Sequence, residues 1–439
     1  MKNVFMWLVP GLRVKRWLLV CWLGLLLFTA GSILLVEVLF GSLSQLWRIL
    51  TPAQAGLLGL LAMGGGIWII LQGMRGWSQV IYQLGGPKDR RQMVEVLYER
   101  HQLQRGLKIV AIGGGTGLAS LLRGLKQYSS NLVAVVTVSD DGGSSGRLSK
   151  ELGVLPPGDV RNCLVALADD ESLLGALFNH RFVEGGLEGH SFGNLFLAAM
   201  TEVAGDFELA VELSSQILAT RGRVLPATLT STVLCARYVD GSVVQGESQI
   251  PVRRQPIERV YLEPGGCVPP DRVLAEIAEA DAIVLGPGSL YTSVLPNLLV
   301  EGMVDAVLRS NAPKIYACNV MTQPGETDNF TAGDHLDVLL RHAGGPLVDY
   351  ALVNLAFPAS RLAAKYKAEG ADPVLADLAR IEKMGIEPIG ANLISETELV
   401  RHDSDRLARA IIDLIARHRS KEVEPGSAGL EFRRLRAVK

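Results

Sequence analysis

From Lys108 onward the chain repeats one pattern: a short, continuously apolar run, a glycine-rich or acidic loop, then a helical stretch. The runs are Lys108–Ile112, Leu132–Val138, Ala282–Leu285, Lys314–Cys318, Asp349–Val353 and Pro388–Ile394. Strands that are apolar on both faces belong in a parallel sheet covered on both sides, because a half-wet sheet alternates apolar with polar residues. Helical patterns at Leu118–Lys126, Glu208–Leu218, Asp271–Ala280, Pro373–Lys383 and Asp405–His418 supply the covers. The expected fold is therefore α/β, a Rossmann-like doubly wound parallel sheet. Arg223–Leu262 departs from the pattern. Leu229–Tyr238, Val243–Glu247 and Arg259–Leu262 have no helix between them, and Asp240-Gly241 signals a hairpin turn, so a small antiparallel β insertion is expected there.

The first 75 residues differ in kind. Hydrophobic residues make up 48% of the chain, and the excess is concentrated here. Trp17–Phe40 is apolar apart from small polar residues and Glu37, and its length matches the roughly 20 residues a bilayer crossing needs. A second apolar run covers Ala53–Leu71 and contains Gly64, Gly65 and Gly66. Lys2, Arg13, Lys15 and Arg16 precede the first run, and Arg75, Lys88, Arg90 and Arg91 follow the second. Arg48 is the single basic residue of the segment between them. The positive-inside bias predicts a transmembrane helical hairpin with both ends in the cytoplasm. The expected organisation is a hairpin over 1–73, a charged helical linker over 74–106, an α/β ligand-binding domain over 107–419 and a flexible tail over 420–439. The protein is expected in the inner (plasma) membrane, multi-pass, with its main domain in the cytoplasm. The net charge of −2 gives no reason to expect nucleic acid as a partner. The five cysteines form no CxxC pair, which argues against a zinc site or a disulfide framework.

In such a sheet, ligands bind beyond the carboxyl ends of the strands. There the first strand runs into Gly113-Gly114-Gly115-Thr116-Gly117 and straight on into a helix. Glycines let backbone approach a phosphate, and a helix amino terminus supplies N–H donors. The spacing is neither G-x-G-x-x-G nor a Walker A loop, and a tight strand–helix turn would also use these residues. The second strand ends in Ser139-Asp140-Asp141-Gly142-Gly143-Ser144-Ser145-Gly146-Arg147. Asp140 and Asp141 could hold a magnesium ion or accept from hydroxyls, while the Gly/Ser nest and Arg147 would face anions. Pro157-Gly158-Asp159-Val160-Arg161-Asn162 opens a helix, with Asp159 either its N-cap or a ligand contact and Arg161 and Asn162 within reach of a ligand. His190-Ser191-Phe192-Gly193-Asn194 opens another; Ser191, Gly193 and Asn194 are candidate contacts, and His190 receives no catalytic role. Gly286-Pro287-Gly288-Ser289-Leu290-Tyr291-Thr292-Ser293 forms a second expected anion cradle. Asn319, Thr322, Gln323, Glu326 and Thr327, after the strand Lys314–Cys318, suit hydrogen bonding to a base or sugar.

As a set and in order, these loops resemble those of the YvcK family of gluconeogenesis factors, within the superfamily of 2-phospho-L-lactate transferase (CofD). The resemblance covers Lys108 to about Arg419. It implies a Rossmann-like fold and a homo-oligomer. In the transferase branch it implies a reaction joining a phospholactate-type group from a guanylylated donor to a deazaflavin, with magnesium held by acids like Asp140 and Asp141. In the YvcK branch it implies a UDP-sugar ligand, UDP-N-acetylglucosamine or UDP-glucose, and links to carbon metabolism, cell shape and cell-wall synthesis proteins. The loop Asn319–Thr327 is similar to the YvcK type, so a binder rather than an enzyme is expected. The membrane hairpin departs from the shorter, soluble family form. An NAD-dependent oxidoreductase is the weakest reading, because the glycine spacing is wrong for it.

Overall fold

The computed structural model describes residues 14–40, 51–83, 103–169, 173–396 and 400–422. Two compact units divide between Glu99 and Arg100. The segments 41–50, 84–102 and 423–439, which hold Arg48, most of the expected linker and most of the expected tail, lie outside the described residues.

In the first unit, two helices, Val14–Phe40 and Pro52–Gln83, pack antiparallel. The second helix continues past the expected hairpin boundary through residues 74–83. The contact runs through glycines spaced seven apart. A Cβ at Gly24 would stand 2.8 Å from the Gly66 carbonyl oxygen, and one at Gly31 would stand 2.7 Å from that of Gly59. Gly73 meets Cys21, and Gly76 lies against the Trp17 ring. A seven-residue repeat keeps one face of a helix toward its partner, and small residues there let backbones touch. Gly64, noted in the sequence, has nothing near it, so the packing glycines are Gly59, Gly66 and Gly73 instead. Apolar side chains such as Leu19, Trp22, Leu57 and Trp68 point outward and stay exposed. Among the described residues, Ala53–Gly76 is long and apolar enough to cross a membrane, and Leu19–Ile33 is a shorter apolar helix.

The second unit is built on seven parallel strands: β1 (Ile109–Gly113), β2 (Leu132–Val136), β3 (Arg223–Pro226), β7 (Ala282–Leu285), β8 (Lys314–Ala317), β9 (Tyr350–Asn354) and β10 (Glu387–Ala391), in the spatial order β10-β9-β8-β7-β1-β2-β3. Strand residues alternate between two apolar layers. Val110 and Ile112 face one with Leu290, Leu295 and Leu336, whereas Ile109 and Ala111 face the other with Leu118, Leu407 and Ile411. Helices therefore cover both faces, which explains the unbroken apolar runs. β4 (Val233–Tyr238), β5 (Val243–Gln245) and β6 (Ile257–Glu263) form the antiparallel insertion, with β4 central. β11 (Ile394–Glu396) and β12 (Val400–His402) make a separate hairpin.

Three expectations change. Arg223–Pro226 joins the main sheet beside β2 rather than the insertion, because its apolar residues Val224 and Leu225 are buried there. The Gly143–Arg147 nest is not a loop: Gly143–Leu152 is a helix from its first glycine, closed by the Gly146 N–H on the Gly142 carbonyl. The helix expected at Pro373 begins at Leu378, because Thr322 pairs with Asp372 and the Val374 N–H donates to the Val320 carbonyl, holding that segment extended.

Candidate functional site

The strand order reverses between β1 and β7. Chain order runs outward from β1 through β2 and β3 on one side and from β7 to β10 on the other. A crevice opens at such a switch point because the loops leaving the two central strands turn to opposite faces. The two glycine loops meet there. A Cβ at Gly113 would lie 3.7 Å from the Gly286 Cα, one at Gly117 would lie 2.6 Å from the Pro287 carbonyl oxygen, and one at Gly288 would lie 3.3 Å from the Gly114 carbonyl oxygen. Gly115 and Gly286 both have φ in the left-handed region, +65° and +78°. Helix Gly115–Leu125 starts directly from the first loop, and a π-helical turn, Leu290–Val294, starts from the second. Buried Asn297 ties the pair from behind, its amide donating to the carbonyls of Gly113 and Ser293 at 3.1 and 2.7 Å. Thr292 and Ser293 are buried beside it, with Ser293 against Gly288.

Carboxylates converge on this crevice. Asp159 is not the N-cap of its helix, Gly158–Leu167; that position is Pro157. Its carboxylate accepts instead from the Gly115 N–H, and a Cβ at Gly114 would come within 2.5 Å of it. Burial, with Asp140 nearby, pushes Asp159 up to about 6 against the partial relief of Gly115 and Arg161. Glu326 accepts from the Ser289 hydroxyl, and burial pushes it up to about 7. Asn319 accepts from the Gly288 N–H at 3.3 Å and donates to Gln323. Two of the loop amides assigned to phosphate, those of Gly115 and Gly288, are thus already bonded by Asp159 and Asn319.

The antiparallel insertion supplies a residue that sequence reading placed in a strand. Glu247 opens a 3-10 turn after β5 and is raised well above the usual carboxylate range by burial and by Asp140, Asp159, Glu326 and Asp141. The Ser248 N–H donates to Asp141 at 2.8 Å, and the Gly142 N–H to Asp140 at 2.9 Å. Glu247 had no local signal, since a β hairpin's distance from the other loops is not written in its sequence.

A second polar network braces the β2 side. Arg161 donates to Ser191 at 2.6 Å, to Asn194 at 3.1 Å and to Asn162 at 2.7 Å. Ser191 caps helix Phe192–Ala204 through the Asn194 N–H. The Asn194 amide donates to Ser144 at 3.1 Å, and Ser144 pairs with His190 Nδ1 at 3.1 Å. Burial, with Arg147 close by, lowers His190. Gly193 is required by the Arg161 stem and Phe178, which a Cβ would meet at 2.7 and 2.8 Å. Ser139 is buried and pairs with Thr137 at 2.9 Å. Some candidates are not drawn in. Arg147 is exposed and donates to the Glu188 carbonyl, Thr322 pairs with Asp372, Thr327 accepts from the Gln323 N–H, and Gly143 stands in open space. Among the described residues, no three His, Cys, Asp or Glu side chains converge to hold a metal ion. Asp140 and Asp141 each commit one oxygen to a backbone N–H.

Residues 109–394 match the family model of 2-phospho-L-lactate transferase CofD. A Nostoc sp. protein named "Putative gluconeogenesis factor" is 45% identical over 426 residues, covering 93% of this chain and 92% of the relative. The Bacillus subtilis "Gluconeogenesis factor" is 49% identical over 310 residues, covering 70% of this chain and 98% of the relative. A crystal structure of a UPF0052 family member from Bacillus halodurans is 49% identical, with a TM-score of 0.68, and covers 70% of this chain and 99% of that one.

Proposed function

Since the chain belongs to the CofD family, among relatives named gluconeogenesis factors, we propose that it is a regulatory protein that binds a UDP-sugar, UDP-N-acetylglucosamine or UDP-glucose. The reading links it to gluconeogenic growth, cell shape and cell-wall synthesis. The observation that carries it is the facing pair of glycine loops at the β1/β7 switch point, with Gly117 against Pro287. Two backbone cradles face to face suit two linked phosphates, since the amides of one helix start serve only a few oxygens. The amide side chains of Asn319 and Gln323 beyond β8 suit the edge of a base, and the acids beyond β2 suit sugar hydroxyls. Asp159 and Asn319 move off the amides of Gly115 and Gly288 as phosphate takes their place. Calorimetry against UDP-sugars, GDP, NAD and a deazaflavin tests the reading. A UDP-sugar is expected to bind best; strong deazaflavin or NAD binding with every UDP-sugar failing at millimolar concentration defeats it.

The second reading is a CofD-type transferase, favoured by the family match and by Asp140 and Asp141 at the crevice. It requires consumption of a deazaflavin phenol in the presence of a guanylylated donor and magnesium, with Asp140 and Asp141 as candidate ligands of the ion.

The first unit is proposed to tether the protein to the inner membrane as a two-helix hairpin, with the α/β unit in the cytoplasm and acting as a homo-oligomer. The outward apolar side chains of both helices and the basic residues outside the two runs support the hairpin and its orientation. A reporter fused after Lys439 is expected to be active only as a cytoplasmic one; activity of a periplasmic reporter there reverses the topology.

A further inference from the structure

We propose that Glu247, carried by the antiparallel insertion, is the residue that reads the hexose hydroxyls of the bound nucleotide sugar. The inference rests on the UDP-sugar reading and deepens it. Glu247 Oε2 is sealed from solvent and has no hydrogen-bond partner among the described residues. A sealed, unpaired carboxyl oxygen is costly and calls for a donor that the protein itself does not supply. The acids that surround it, Asp140, Asp141, Asp159 and Glu326, come from three different loops of the crevice, so the group stands where those loops meet.

Its position is fixed on both sides. Before it, Gly246 has φ +98°, and a Cβ there would come within 2.3 Å of Asp141. After it, the Ser248 N–H holds Asp141, and the Pro251 carbonyl presses on Gly325 so closely that a Cβ would stand 2.0 Å away. The Tyr238 hydroxyl, donating to the Ile250 carbonyl at 2.7 Å, anchors the turn to β4. The insertion is therefore clamped across the mouth between the loop after β2 and the loop after β8, and Glu247 is the acid it delivers. Acids read sugar hydroxyls because a carboxyl oxygen accepts hydrogen bonds from their O–H groups. The amides Asn319 and Gln323 stand past β8, where Asn319 accepts from the Gly288 N–H and donates to Gln323. This division of chemistry orients the ligand with its base toward β8 and its hexose toward Glu247.

The test compares UDP-glucose, UDP-N-acetylglucosamine and UDP on the full-length protein in detergent, as wild type, Glu247→Ala and Glu247→Gln. Loss of the hydroxyl contact is expected to weaken both UDP-sugars about tenfold or more in Glu247→Ala. UDP should stay within about twofold, and Glu247→Gln should recover part of the loss through its remaining carbonyl oxygen. Equal loss on UDP and UDP-sugars, or no loss on either, overturns the assignment while leaving the ligand reading intact. A wild type that binds no uridine nucleotide overturns both. Should Glu247→Ala fail to fold, Glu247→Gln decides by the same comparison of UDP-sugar with UDP.

Discussion

Gly117→Val is expected to reduce UDP-sugar affinity about 100-fold or more. A Cβ at this position would stand 2.6 Å from the Pro287 carbonyl oxygen and 2.9 Å from its carbon, and both are backbone atoms that cannot rotate aside. The two glycine loops must part by several tenths of an ångström or more. A misplacement of about 1 Å among positioned groups can cost on the order of 100-fold in a catalysed rate, and a loss of that order is expected where two cradles must hold one ligand. Overpacking should also lower stability by about 1–3 kcal/mol, so circular dichroism and a urea melt must show that the variant is folded at the temperature of the titration. Gly153→Ala, at the end of helix Gly143–Leu152, is the control. There φ is +69°, and an added Cβ has no atom within 4 Å. The backbone penalty is about 1–2 kcal/mol, and affinity should change far less than in Gly117→Val. If the two glycines behave alike, the facing of the loops is not what holds the ligand.

Asp159→Asn is expected to stabilise the protein at pH 8 relative to wild type, by about 3 kcal/mol, and to make no difference near pH 4. The Asp159 carboxyl rises from 3.8 to about 6 on folding. A raised carboxylate means that the native state holds its proton more tightly than the unfolded chain. Stability is therefore complete below the unfolded value and is lost as pH climbs through the folded one, here between about 4 and about 6. Roughly two units at about 1.4 kcal/mol each set the size of the loss. Asparagine keeps an acceptor for the Gly115 N–H and carries no charge to bury. Glu326, raised from 4.5 to about 7, adds a second loss in the same direction between those limits, and Glu247 adds a third. Arg161 is the nearby cation that limits the effect at Asp159. Urea denaturation of the wild type and variant at pH 4 and pH 8 measures the difference. An Asp159→Asn protein that is less stable than wild type at pH 8 means that the ionised carboxylate is a net support of the glycine loop.

The residues that build the crevice were visible one loop at a time. Gly113–Gly117 and Gly286–Ser293 each announced a close backbone approach, since runs of glycine at a strand end have few other uses. That they face each other followed only from the sheet order, in which β7 pairs with β1 although more than 160 residues separate them. Arg161, Ser191 and Asn194 are legible as candidate contacts from their places at helix starts, whereas the hydrogen bonds by which they brace two helices come only with the fold.

Local pattern determined the sheet, the two-faced cover, the apolar helix pair and the loops where chemistry would concentrate, because side-chain periodicity and glycine placement are properties of neighbouring residues. Tertiary structure alone decided that Arg223–Pro226 completes the main sheet, that Gly59, Gly66 and Gly73 are the packing face of the second helix, and that Glu247 reaches the crevice from a distant hairpin. Those outcomes depend on which buried surface each segment finds. That is a property of the assembled chain, settled by long-range pairing and by the desolvation of groups far apart in sequence.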